Sequence, residues 1–157
     1  MQNLSNFHNF PIVLTLSNYN GEPFTYHCKE VKVPNTFYSK LITSDDKVAV
    51  LYSPGYGSGW STDIGDRQIK KQMIFDSRIV QHVTSKEFKK NQTEEKYIKF
   101  MKTIFPPYES EYIDLPHFDS FLQVMVTFVP VHTQFHIIEY DGSESIEIFD
   151  PSNYFTA

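Results

Sequence analysis

The stretch Lys47–Thr62 reads KVAVLYSPGYGSGWST, and its two halves decide how the rest of the chain is organised. Lys47–Tyr52 is a continuous apolar run rich in β-branched residues. That is the pattern of a strand covered on both faces, because a half-buried strand would alternate apolar with polar. Ser53–Thr62 then sets Gly55, Gly57 and Gly59 at alternate positions, so the strand ends in a loop with unusual backbone freedom.

A doubly covered strand needs partners, and both flanks supply them. Upstream, Ile12–Leu16 (IVLTL) and the alternating Phe24–Val33 are joined through Asn20-Gly21 and predict a hairpin. Pro34 ends it, Phe37–Ile42 reads as a short helical or irregular piece, and Ser44-Asp45-Asp46 makes a turn. Downstream, Asp66 and Asp76 are N-caps for helices over Arg67–Met73 and Ser77–Val83. Thr84-Ser85-Lys86-Glu87 has the capping-box form and predicts a longer helix along Lys86–Phe105, with an interruption at Asn91-Gln92-Thr93 and a stop at Pro106-Pro107. Tyr108–Ser120, acidic and aromatic, reads as an irregular surface connection. Three strands close the chain, Phe121–Val129, Gln134–Tyr140 and Ser145–Phe149, the last two joined by the hairpin turn Asp141-Gly142. Sheet residues therefore come from both ends of the chain with helices between them. The fold class is α+β, a mixed or mainly antiparallel sheet in one domain over residues 1–157.

Composition narrows the function classes. The net charge is −5 and no basic run dominates, which disfavours nucleic-acid binding through phosphates, since that needs a basic face. Cys28 is the single cysteine and cannot form an internal disulfide, as expected of a reducing compartment. It reads as a small buried residue. The start MQNLSNFHNF lacks the basic and apolar regions of a signal peptide, and no stretch approaches the roughly 18 apolar residues of a membrane span. The expected location is the cytoplasm, away from membranes.

The glycine loop carries the clearest chemistry. Glycines allow successive N–H groups to turn inward as an anion-binding nest, and hydroxyls add donors. A phosphate or a carboxylate fits such a nest, and Tyr56 and Trp60 are placed to stack on a planar group. The expected contacts are Ser53, Gly55, Tyr56, Gly57, Ser58, Gly59, Trp60, Ser61 and Thr62. The loop lacks the Gly-Lys-Ser/Thr of a Walker loop and the spacing of a Rossmann fingerprint. The competing structural reading has the glycines allow a tight crossover while Trp60 plugs the core. Arg67 and Lys70-Lys71 either neutralise a phosphate or form a solvated helix face.

A second cluster is the hairpin Glu139-Tyr140-Asp141-Gly142-Ser143-Glu144, where Glu139, Asp141 and Glu144 are candidates to accept hydrogen bonds from a ligand. His132 and His136 share a strand face by spacing, but a zinc site needs a third ligand, and Glu139 falls on the opposite face from His136. No metal, no cofactor and no catalytic residue is expected.

Taken together, VAVLYSPGYGSGWST (Val48–Thr62), MIFDSRIVQHV (Met73–Val83) and VPVHTQFHIIEYDGSES (Val129–Ser145) resemble a group of small phage and prophage proteins without an assigned function. That pattern is a PGxGxGW loop, an FDxRIV helix start and a closing VPxGTxFxIxEYDGxE hairpin. His132 stands where the pattern has Gly, and Ser85–Phe105 is a long insert. The resemblance implies a phage-type protein in the host cytoplasm. By analogy, such proteins often counter host immunity, some by sequestering nucleotide-derived signals. The leading expectation is a non-enzymatic, homo-oligomeric protein that binds a small phosphorylated or nucleotide-like ligand through the glycine loop, with charged contacts from Arg78 and Glu144. The alternatives are a hydrolase or phosphodiesterase using His132, His136 and nearby carboxylates, and a protein-interaction or virion-associated module using Tyr108–Phe118.

Overall fold

In a computed structural model, described over residues 8–17, 20–57, 59–88, 90–105, 115–148 and 155–157, the run Lys47–Tyr52 is an interior strand with both faces covered. Four strands precede the helices: β1 (Ile12–Ser17), β2 (Pro23–Lys32), β3 (Ser39–Thr43) and β4 (Lys47–Tyr52). Four helices follow, α1 (Arg67–Phe75), α2 (Ser77–Val83), α3 (Glu94–Ile104) and α4 (Phe118–Leu122). The chain closes with β5 (Met125–Pro130), β6 (Gln134–Tyr140), β7 (Ser143–Ile148) and β8 (Phe155–Thr156).

The architecture is α+β with every pairing antiparallel. One sheet has the order β1-β2-β3-β4-β5, so β5 is the C-terminal strand that returns to the N-terminal set, in the register Lys47↔Pro130 to Tyr52↔Met125. The remaining strands form a second sheet, β7-β6-β8. Alternation along β4 divides the core. Ala49 and Leu51 face a cluster with Trp60, Met73, Ile79 and Phe121, while Val48 and Val50 face one with Ile74, Phe75, Phe135 and Phe155. All four β4 residues are 0% exposed, and each of the larger three adds about 1.5–3 kcal/mol of burial.

Several local expectations change. Phe37–Ile42 is not helical or irregular throughout, because Ser39–Thr43 pairs with β2 in the register Lys32↔Ser39 to Cys28↔Thr43. The helix expected from Thr84 does not start there. The Thr84 hydroxyl donates back to the Val80 carbonyl at 2.8 Å and terminates α2. The helix begins at the expected interruption, where the Thr93 side chain accepts from the Lys96 N–H and Glu94 and Glu95 occupy the first turn, favourable for the helix dipole. The strand expected over Phe121–Val129 is split, with Phe118–Leu122 helical, because Phe121 turns into an aromatic cluster beside Trp60, Phe88 and Tyr97. The Asp141-Gly142 turn is as expected, with φ of 52° and 84°. His132 adopts φ 69°, a left-handed conformation that glycine takes up more readily. Ser58, Pro106-Pro107, residues 108–114 and Phe149 lie outside the described residues. Among the described residues no helix is long and apolar enough to cross a membrane.

His82 sits in the aromatic cluster, stacked on Phe100 at 4.0 Å and on Phe121 at 6.0 Å. Burial lowers its pKa, against a smaller opposing pull from Glu87. The unfolded chain therefore takes up this proton first, and stability falls as pH drops below the ordinary histidine value, roughly 6.5. Urea melts at pH 7 and pH 5 should show a larger stability loss for wild type than for His82→Phe, which keeps the stacked ring but cannot titrate.

Candidate functional site

The glycine loop does bind an anion, and the anion belongs to the protein. The Glu144 side chain, 1% exposed, enters the loop from the start of β7. Its Oε1 accepts from the Ser53 N–H at 2.9 Å, and its Oε2 accepts from the N–H groups of Trp60 at 2.8 Å and Thr62 at 3.0 Å. The Thr62 hydroxyl donates to the same Oε2 at 2.7 Å. In return the Glu144 N–H donates to the Ser53 carbonyl at 2.8 Å. Hydrogen bonds to an ionised acceptor are worth about 1.5–3 kcal/mol each. Four of them offset a desolvation cost of several kcal/mol without a cation.

The glycines serve this docking. Gly57 donates to the Asp141 carbonyl at 3.0 Å, and a Cβ on Gly142 would fall on the Gly57 carbonyl, so the EYDGSE hairpin lies directly on the loop backbone. A Cβ on Gly59 would strike Thr62 Oγ1 and Glu144 Oε2, and its N–H is taken by Asp63 at 3.0 Å. A Cβ on Gly55 would meet the Gln123 side chain.

This geometry commits much of the expected ligand set to contacts within the protein. Trp60 is 0% exposed, donates its indole N–H to the Met73 carbonyl at 2.7 Å, and cannot stack on a ligand in this conformation. Ser53 is sealed with its hydroxyl on the Ser120 carbonyl, and Ser61 is 1% exposed. Arg78 is committed elsewhere, holding the fully buried Asp76 through Nε and a terminal nitrogen at 3.1 and 2.8 Å and reaching the Ile104 carbonyl at the end of α3. Of the expected contacts, Tyr56, Gly57, Arg78, Glu139 and Asp141 remain at the surface, with Glu139 and Asp141 bonded to nearby backbone. His132 is exposed in a turn while His136 is buried on β6, 4.0 Å from Glu147, so the pair does not share an open face. No group of three or more His, Cys, Asp or Glu converges among the described residues.

A different group of cations does line a hollow. A groove of about 220 Å³ between β3, α1 and β8 is bordered by Lys40, Arg67 and Lys71 over Tyr38, Phe75 and Phe155. The Lys40 ammonium lies 5.8 Å from the Phe75 ring centre and the Arg67 guanidinium 4.6 Å from that of Phe155. Lys40 is half-buried, and desolvation lowers its pKa. Neither Lys40 nor Lys71 has a carboxylate partner among the described residues. The Arg67–Lys71 pair carried a signal in the sequence. Lys40 was hidden by the misread strand, and Phe155 by its distance along the chain. A larger hollow of about 570 Å³, edged by Val83, Phe88, Lys90, Leu122 and Met125, offers a single cation among the described residues.

Replacing Glu144 by Gln presents an amide N–H to donors that need an acceptor. Glu144→Gln should cost about 3 kcal/mol in urea unfolding, and Gly142→Ala at least as much, whereas Thr62→Val, which removes one donor, should cost about 1.5 kcal/mol. No protein-family model, curated protein or solved structure matches this chain.

Proposed function

We propose that this chain is a non-enzymatic binding protein for a small phosphorylated or nucleotide-like ligand, held in the Lys40–Arg67–Lys71 groove. The observation that carries the reading is Lys40, a cation partly withdrawn from water with no carboxylate to compensate it among the described residues. Desolvating a charge is unfavourable unless a counter-charge is present, and an anion in the groove supplies one. The rings beneath the cations, Tyr38, Phe75 and Phe155, are buried and form the apolar floor that draws Lys40 partly out of water. Among the described residues no Cys, His, Asp or Glu lines the groove, which favours capture over turnover. Within the same proposal, the likeness of three sequence blocks to small phage and prophage proteins supports sequestration of a nucleotide-derived immune signal in the host cytoplasm.

A second reading, a protein-interaction module, has one observation in its favour. Tyr56 and Tyr140 are 75% and 80% exposed where the hairpin meets the loop. That reading predicts partner capture that is lost with Tyr56→Ala and Tyr140→Ala and indifferent to the groove lysines.

The ligand reading is tested by thermal shift against inorganic phosphate, nucleotides and cyclic nucleotides. A ligand at about 100 times its Kd adds about 2.7 kcal/mol, a Tm rise of roughly 5–10 °C for a domain of this size. The rise should vanish in a Lys40→Met, Lys71→Met double variant and persist in Tyr56→Ala. Bound ligand released by denaturation should have unaltered mass. No stabilisation by any member of the panel, or a rise that survives loss of both lysines, overturns the proposal.

A further inference from the structure

Helix α1 presents two parallel stripes. Arg67 and Lys71, one turn apart, border the basic groove, while Gln68 and Gln72, displaced by one residue, border a second hollow of about 100 Å³ with Asn35, Thr36, Phe37 and Tyr38. Tyr38 belongs to both, so the hollows adjoin. Together they reach the lower end of the size range of small-molecule sites, roughly 300 Å³.

The second hollow differs in chemistry from the first. It carries no charged side chain, and Asn35 and Gln68 bring primary amides, which hold donor and acceptor on one planar group. Phe37 is 68% exposed, a large ring left at the surface of a short turn. The turn is well tied down. The Val33 N–H donates to the Tyr38 carbonyl at 3.1 Å, the Thr36 hydroxyl donates to the Val33 carbonyl at 2.7 Å, and the Lys32 ammonium reaches the Thr36 carbonyl. Asn35 at φ 62° completes it. An exposed ring on a pinned turn, next to amides and one residue from a cationic groove, has the components of a base-recognition subsite: a stacking surface and an edge that pairs donor with acceptor.

Building on the proposed anion site, we propose that the ligand is a nucleoside phosphate that spans both hollows. Its phosphate is held by Lys40, Arg67 and Lys71, and its base lies against Phe37 with its edge read by Asn35 and Gln68.

The test is isothermal titration of wild type with the four common nucleoside 5′-monophosphates, ribose 5-phosphate and inorganic phosphate. At least one nucleotide should bind roughly tenfold or more tighter than ribose 5-phosphate, the scale of one stacked base. Phe37→Ala should erase that advantage and leave ribose 5-phosphate binding unchanged, whereas Lys71→Met should weaken both. Phe37 is largely exposed, so the variant should retain the wild-type Tm, which is measured alongside. Equal affinity for nucleotide and sugar phosphate overturns the base subsite while leaving the anion site standing. An undiminished nucleotide advantage in Phe37→Ala also overturns it. Absence of binding by every probe removes both.

Discussion

A buried carboxylate, with no cation beside it among the described residues, constrains this molecule more than any other single group. Glu144 lies at the start of β7, and the donors that hold it belong to the loop after β4. The interaction therefore joins the two sheets, because β4 belongs to one and β7 to the other. It also sets the composition of the loop. Three amides can point at one carboxylate only if the backbone folds around it, and the hairpin can approach only if Gly142 meets Gly57 without a side chain between them. Trp60 follows from the same geometry. Its N–H is one of the donors, and its ring is carried inward onto Phe121, with the indole anchored on the Met73 carbonyl of α1.

Three sequence blocks, Val48–Thr62, Met73–Val83 and Val129–Ser145, share a physical role. The PGYGSGW loop and the EYDGSE hairpin are two halves of one contact. The FDSRIV start places a fully buried Asp76 that caps α2 and accepts from Arg78 and Gln72, while Arg78 reaches across to the end of α3. These residues build a scaffold. The basic groove and its neighbouring hollow lie outside the blocks apart from Phe75, in β3, the turn before it, the start of α1 and β8.

Much of the fold was legible because its signals are local. An apolar run of the right length identified β4, aspartates before periodic segments identified α1 and α2, and Asp-Gly identified the last turn. What failed depended on distant partners. Residues 39–43 form a strand because β2 lies beside them, and Phe118–Leu122 is helical because Phe121 completes an aromatic cluster. The loop was legible as a set of inward-turning amides, but the donors to the carboxylate are Ser53, Trp60 and Thr62, while the Gly57 and Gly59 N–H groups bond to Asp141 and Asp63. Its occupant was not legible, since Ser53 and Glu144 are 91 residues apart and only folding brings them together. The cationic groove was half visible, as Arg67 and Lys71 on one helix face, but Lys40 and Phe155 join it only through tertiary packing.

The claim that the loop is filled by its own carboxylate is tested most directly by amide hydrogen exchange at Ser53, Trp60 and Thr62 in protein free of any ligand. The account predicts that all three exchange slowly, near the limit set by global unfolding, and that added phosphate or nucleotide leaves them unchanged. Fast exchange at these amides in the free protein, slowed when an anion is added, would contradict it and return the loop to the role of an open ligand site.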